Sequence, residues 1–177
     1  MVRREHDDWD PLTTDSGISY WHQKGAPLKK LLLGTPFYGR SFTLTGGNSQ
    51  PGASSSGDGG EEGKYTEEAG FLSYYEICLL KKEGGWSEKT DSDGNPYMVK
   101  GDQWIGYDTP DNIRRKMKYV KEKKLGGAMI WAIDLDDFSG ACGAKWPLLS
   151  MMNHELRREI VIHQFKLFHD SLSSSWY

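Results

Sequence analysis

The sequence predicts an α/β fold, and three observations carry that reading. Ala128 to Ile133 is an apolar run without alternation, the mark of a strand buried on both faces, and Leu31 to Tyr38 reads as another buried strand. Each follows a stretch with helical signals, giving two αβ repeats. Between them the character changes to a mixed α+β segment.

The elements follow in order. Asp15 to Lys24 reads as a short helix, and Gly25-Ala26-Pro27 breaks it ahead of the first strand. Thr45 to Lys64 is rich in Gly and Ser without periodicity, which predicts a long loop of the functional or mobile kind. Glu67 to Lys82 reads as a helix with Phe71, Tyr75, Cys78 and Leu79 on one side. After a polar turn from Asp91 to Pro96, Tyr97 to Tyr107 has the form of a hairpin around Lys100-Gly101-Asp102. Thr109 caps the next helix with Pro110 in its first position. Ile113, Met117 and Val120 fall at helical spacing, a Lys-rich last turn suits the dipole, and Gly126-Gly127 ends the helix. In the tail, Val161, Phe165, Phe168 and Leu172 share one helical face, which predicts a helix packed on the body or a frayed extension.

Length and charge narrow the function classes. The 177 residues fit one ordinary domain. They fall short of the roughly 250 residues typical of a (β/α)₈ barrel, which excludes a complete large barrel. A net charge of −3 gives no basic face for nucleic acid or an anionic membrane surface. No apolar run is long enough to span a bilayer, and Met1 to His6 opens no signal-peptide region. Two cysteines, Cys78 and Cys142, exclude a disulfide-rich miniature and a Cys₄ site while allowing one long-range bridge. Seven Trp and nine Tyr fit either core filling or exposed aromatic faces for a ligand.

Several motifs read as structure. Counting a calcium loop from Asp91 puts Pro96 where Gly belongs and Asp102 where the bidentate Glu belongs, so Asp91 to Asn95 is a turn. Gly57-Asp58-Gly59-Gly60 lacks the preceding strand and following Lys-Ser/Thr of a phosphate cradle. The five histidines show no i, i+4 pairing beside an acid, so no metal and no cofactor is expected. Asp134, Asp136 and Asp137 follow a strand, where barrel enzymes place catalytic groups. Acid/base work and capping of the next turn both stay open for them. Trp131 is core, or it offers a flat apolar face to a sugar ring, with Tyr38 and Arg40 beyond the other strand supplying polar contacts.

Three ordered blocks then carry a resemblance: Gly34 to Phe42, Tyr74-Tyr75-Glu76-Ile77-Cys78, and Gly126 to Phe138. Together, over roughly His6 to Met152, the chain resembles glycoside hydrolase family 18 chitinases and chitinase-like lectins. The resemblance implies that residues 1–40 and 108–153 are the last part of a (β/α)₈ TIM barrel. Residues 41–107 are then the α+β chitinase insertion domain, with 154–177 a tail of its own. It also implies binding of chitin or N-acetylglucosamine oligosaccharides in an extracellular protein.

Position by position, Trp131 resembles the floor of the subsite at the cleaved bond, with Met129 beside it. Tyr38 and Arg40 match polar contacts to that sugar, Glu68 an acid reaching in from the insertion domain, and Trp9 an aromatic platform beyond the cleavage point. Cys78 and Cys142 match a family disulfide, and the aspartate cluster takes a structural role. The catalytic Asp-x-x-Asp-x-Asp-x-Glu motif is nowhere in the sequence, and Arg3 and Arg4 stand where the family's Tyr-Asp pair is expected. The expectation is therefore the C-terminal part of a chitinase-like protein without its catalytic acid. A non-catalytic lectin and an inert truncated fragment are the alternatives.

Overall fold

Between Leu31 and Tyr38, where the sequence reads as one strand, the chain forms two strands that join different sheets. A computed structural model describes residues 13–157. Their elements are α1 (Thr14–Gln23), β1 (Leu32–Pro36), β2 (Tyr38–Thr43), β3 (Phe71–Ser73), α2 (Tyr74–Glu83), β4 (Ser87–Thr90), β5 (Pro96–Lys100), β6 (Gln103–Gly106), α3 (Pro110–Glu122) and β7 (Gly127–Trp131). Residues 147–157 are also helical. Trp9 and the apolar face predicted for the tail lie outside the described residues.

β1 and β7 form a parallel pair, with Leu32 opposite Gly127 and Pro36 opposite Trp131. The predicted αβ connectivity is present, since α1 leads into β1 and α3 into β7. Burial corrects the expectation of two covered faces. Leu33, Thr35 and Phe37 are buried, and Ala128 and Ile130 pack with the same core as Ile113, Met117 and Val120 of α3. Leu32, Met129 and Trp131, on the alternate face, are exposed. A continuous apolar run states that both faces avoid water, but coverage depends on what packs there. Among the described residues one face has no covering element.

The second sheet is antiparallel, in the order β3-β2-β6-β5-β4. Its register sets Gly39 opposite Leu72 and Ser41 opposite Ile105, so these four share the face toward α2. A Cβ on Gly39 would lie 2.6 Å from Ile77 Cδ1, so the helix approaches closely only over a glycine. The opposite face is aromatic: Tyr38 meets Phe71 at 4.8 Å between centroids, and Tyr97 stacks on Trp104 at 5.3 Å. The predicted hairpin is β5–β6. The strand β4 has no apolar signal in Ser87-Glu88-Lys89-Thr90, as suits an exposed edge.

Two helix boundaries differ from expectation. The helix read from Glu67 starts at Tyr74, because Ser73 accepts the Glu76 N–H and the Glu76 carboxylate accepts the Ser73 N–H in a capping box. Phe71 belongs instead to β3. The helix α3 begins as predicted behind Thr109, yet ends at Glu122 rather than at Gly126. Gly126 serves close approach, since a Cβ there would lie 2.3 Å from the Lys29 carbonyl. The long loop is present, pinned by a Leu44–Ser55 bridge. The Asp91 turn is closed by its carboxylate, which accepts the N–H groups of Asp93 and Asn95. No helix among the described residues is long and apolar enough to cross a membrane.

Candidate functional site

β1 and β7 run parallel, so their C-terminal ends lie together. The Phe37 N–H donates to the Trp131 carbonyl at 3.0 Å, which sets Tyr38 just past the ladder at the end where Trp131 stands. Trp131 is 67% exposed and Met129 46%. An indole left this open in a chain that buries Phe37 completely presents a flat apolar surface to solvent. Met129 lies opposite Gly34, where a Cβ would come within 3.6 Å of its terminal methyl. The open face is thus a shallow floor of Leu32, Met129 and Trp131, continued by exposed Ile133.

The rim comes from β2. The Arg40 guanidinium lies 5.3 Å from the Tyr38 ring centroid and 5.4 Å from that of Phe71, holding a cation on two rings. Tyr38 and Arg40 are thereby brought together as the sequence suggested. Phe71, which completes the group, was read as a helix residue, and its role depends on pairing with β2. Glu68 is exposed on the turn before β3, its carbonyl accepting the Phe71 N–H at 3.2 Å.

The aspartates at the end of β7 hold a loop. Asp136 and Asp137 are both fully buried, whereas Asp134 is exposed. The Asp137 carboxylate accepts N–H groups of Gly140, Ala141 and Cys142 and the Ser139 hydroxyl at 2.7–3.1 Å. Burial pushes its pKa up, but these donors outweigh burial and hold it below the usual carboxylate value. Asp136 accepts from Asp137, Leu148 and Leu149, and here burial wins and raises its pKa. The capping role weighed from the sequence is the one observed, and backbone N–H groups are the main partners.

Cys78 of α2 is bonded to Cys142 at 2.00 Å, joining α2 to this same loop across 64 residues. The two sulphurs and an Asp137 oxygen lie within 4.8 Å of one another, but sulphurs joined in a disulfide offer no thiolate to a metal.

Residues 2–136 fit the family model described as glycosyl hydrolases family 18. The chain belongs to that family. Similar proteins include an endochitinase of Manduca sexta, 43% identical over 88% of this chain and 30% of the relative. Among solved structures, catalytic domain 2 of the Ostrinia furnacalis Group II chitinase is 42% identical with a TM-score of 0.82, over 89% of this chain and 42% of that one. Human YKL-39, described as a pseudo-chitinase with retained chitooligosaccharide binding properties, is 42% identical with a TM-score of 0.76, over 80% of this chain and 39% of that one. The chain thus spans less than half the length of these family 18 relatives.

Proposed function

We propose that the open face of β1 and β7, with its Tyr38–Arg40 rim, is part of a groove that binds chitin or N-acetylglucosamine oligosaccharides. The exposed Trp131 indole carries this reading. A pyranose ring has an apolar C–H face that stacks on an indole, and its hydroxyl and acetamido groups need directional donors such as Arg40 and Tyr38. Met129 widens the floor, Glu68 reaches toward the oligosaccharide from the β3 side, and Trp9 adds an aromatic platform. Residues 41–107 act as the insertion domain that walls the groove. The switch of sheets at Phe37 supports that division, as β2 opens the antiparallel unit and β6 closes it at Gly106.

In this reading the chain alone does not hydrolyse chitin. The reaction of family 18 needs an acid to protonate the glycosidic oxygen while the substrate's N-acetyl group attacks, and the Asp-x-x-Asp-x-Asp-x-Glu motif that supplies it is absent. The description of YKL-39 supports binding without turnover as an outcome within the family. An extracellular location is supported by the Cys78–Cys142 bridge, which persists in oxidising compartments.

Titration with chitin oligomers tests the proposal. Tryptophan fluorescence of the wild-type chain changes saturably, Trp131→Ala weakens binding by about tenfold or more, and a fluorogenic chitobioside stays intact. A wild type without response leaves the inert-fragment reading, and measurable turnover contradicts the absence of a catalytic acid.

A further inference from the structure

The net charge of −3 hides an uneven distribution. From Arg114 to Lys124 the chain carries seven basic residues and one acid, Glu122. Most of this stretch is α3, which turns Ile113, Met117 and Val120 to the core and so drives its basic residues to the outer side. Arg115, Lys118 and Lys124 are exposed there, as are Lys29 and Lys30 before β1. The two segments meet where the parallel pair begins, since the Gly126 N–H donates to the Leu31 carbonyl at 2.9 Å. Net charge alone predicted no basic face, but the fold gathers one.

Part of this charge is compensated. Arg114 pairs with Asp111 and Glu155, Lys116 with Asp108, Lys121 with Glu155 and Lys123 with Asp15. Among the described residues Lys29, Lys30, Lys118 and Lys124 pair with no carboxylate, and Arg115 donates to the carbonyls of Asp93 and Gly94, which leave its charge in place. From Arg115 the row runs about 10 Å to the end of α3 and on to Lys29 and Lys30. That length suits a chain of anionic groups better than one small anion. Single-stranded nucleic acid is held on aromatic platforms and a membrane surface by an apolar anchor beside the basic face, and α3 exposes no large apolar or aromatic side chain. The Cys78–Cys142 bridge belongs to oxidising compartments, where the common linear polyanions are sulfated polysaccharides.

We propose that the outer side of α3, with Lys29 and Lys30, binds a sulfated polysaccharide. Its sulfate oxygens accept from the lysine ammonium groups and from the outer N–H groups of Arg115. This surface is separate from the oligosaccharide groove. Lys29, Lys30 and Lys124 stand at the N-terminal end of the β1–β7 pair, whereas Trp131 and Tyr38 stand at its C-terminal end. Both can be occupied at once.

The test uses the whole chain and a fluorescein-labelled heparin octasaccharide, followed by anisotropy, with an unsulfated octasaccharide as the control. Wild type binds the sulfated probe saturably, more weakly as salt rises, and holds the unsulfated one at least about tenfold less tightly. Lys118→Gln with Lys124→Gln weakens binding by about tenfold and flattens the salt dependence. Glu122→Gln removes the acid from the row and tightens binding by about threefold, a gain that no folding defect produces. These variants melt within about 1 °C of wild type, because the residues are exposed. No saturable binding by wild type overturns the proposal, and so does affinity unchanged in both the lysine pair variant and Glu122→Gln. Loss on Arg40→Gln, or displacement by an N-acetylglucosamine tetramer, also overturns it by moving the anion to the groove. Equal affinity for a single-stranded oligonucleotide or for phosphatidylserine vesicles overturns the assignment to a sulfated polysaccharide.

Discussion

The two sheets of this chain solve the burial problem differently. The antiparallel sheet closes its α2 face, with Ile77, Met98 and Ile105 at 1% exposure or less, and ends at a polar edge strand. The parallel pair closes only the face toward α3 and leaves Leu32, Met129 and Trp131 in solvent. The difference separates the region that carries stability from the face proposed to bind. The five-stranded unit satisfies its core locally, whereas the parallel pair leans on α3 and on the disulfide-tied loop after β7. Among the described residues nothing covers its apolar surface.

Cutting the tether between these regions has the largest expected effect. Closing 64 residues with a disulfide contributes about 4 kcal/mol in the chain-entropy account, so Cys78→Ser with Cys142→Ser lowers the denaturant midpoint by that equivalent. A change below about 1 kcal/mol would mean the two regions are not coupled through this bridge. Next come the buried carboxylates. Asp137→Ala strands three backbone N–H groups in the loop after β7 and costs about 3 kcal/mol. Glu76→Gln forces an amide N–H₂ against donors on one side of the carboxylate and costs about 2 kcal/mol. Thermal melts check both, at about 2–4 °C per kcal/mol for a chain of this size.

The same groups fix the response to acid. Burial pushes Glu76 and Asp137 up, but hydrogen bonds outweigh it and hold both folded-state values below the unfolded ones. Their stabilisation is complete above the ordinary carboxylate range and is lost as pH falls through the folded values. Asp136 is raised by burial, so its contribution runs the other way: stability grows as pH falls through its folded value toward the unfolded one. Wild type therefore gains slightly on mild acidification before it unfolds, and Asp136→Asn removes that gain. A monotonic loss from neutral pH in wild type would contradict the assignment.

Much of this was legible in the sequence, and the rest was hidden for physical reasons. The α3–β7 unit announced itself through Thr109-Pro110 and helical spacing, and Trp131 stood out as an indole within a strand. The break at Phe37 was not visible, because Leu31 to Tyr38 is apolar on both sides of the switch between sheets. The start of α2 was readable in principle, since Ser73-x-x-Glu76 is a capping-box pattern, but the helical periodicity from Glu67 masked it. The polar β4 has no signal of its own and forms by pairing with β5. Exposure of one strand face depends on what packs against it, which no local run of residues encodes.

The smallest effect on stability is expected where the effect on binding is largest. Trp131→Phe leaves the melting temperature within about 1 °C, because the side chain contributes little to the core. That variant also identifies the Trp131 indole N–H resonance among the seven tryptophans. Titrating the labelled chain with an N-acetylglucosamine tetramer then tests the central claim. The account predicts that the Trp131 signal shifts saturably, while the buried Trp104 signal stays in place. A Trp131 signal unmoved at saturating oligosaccharide would contradict it.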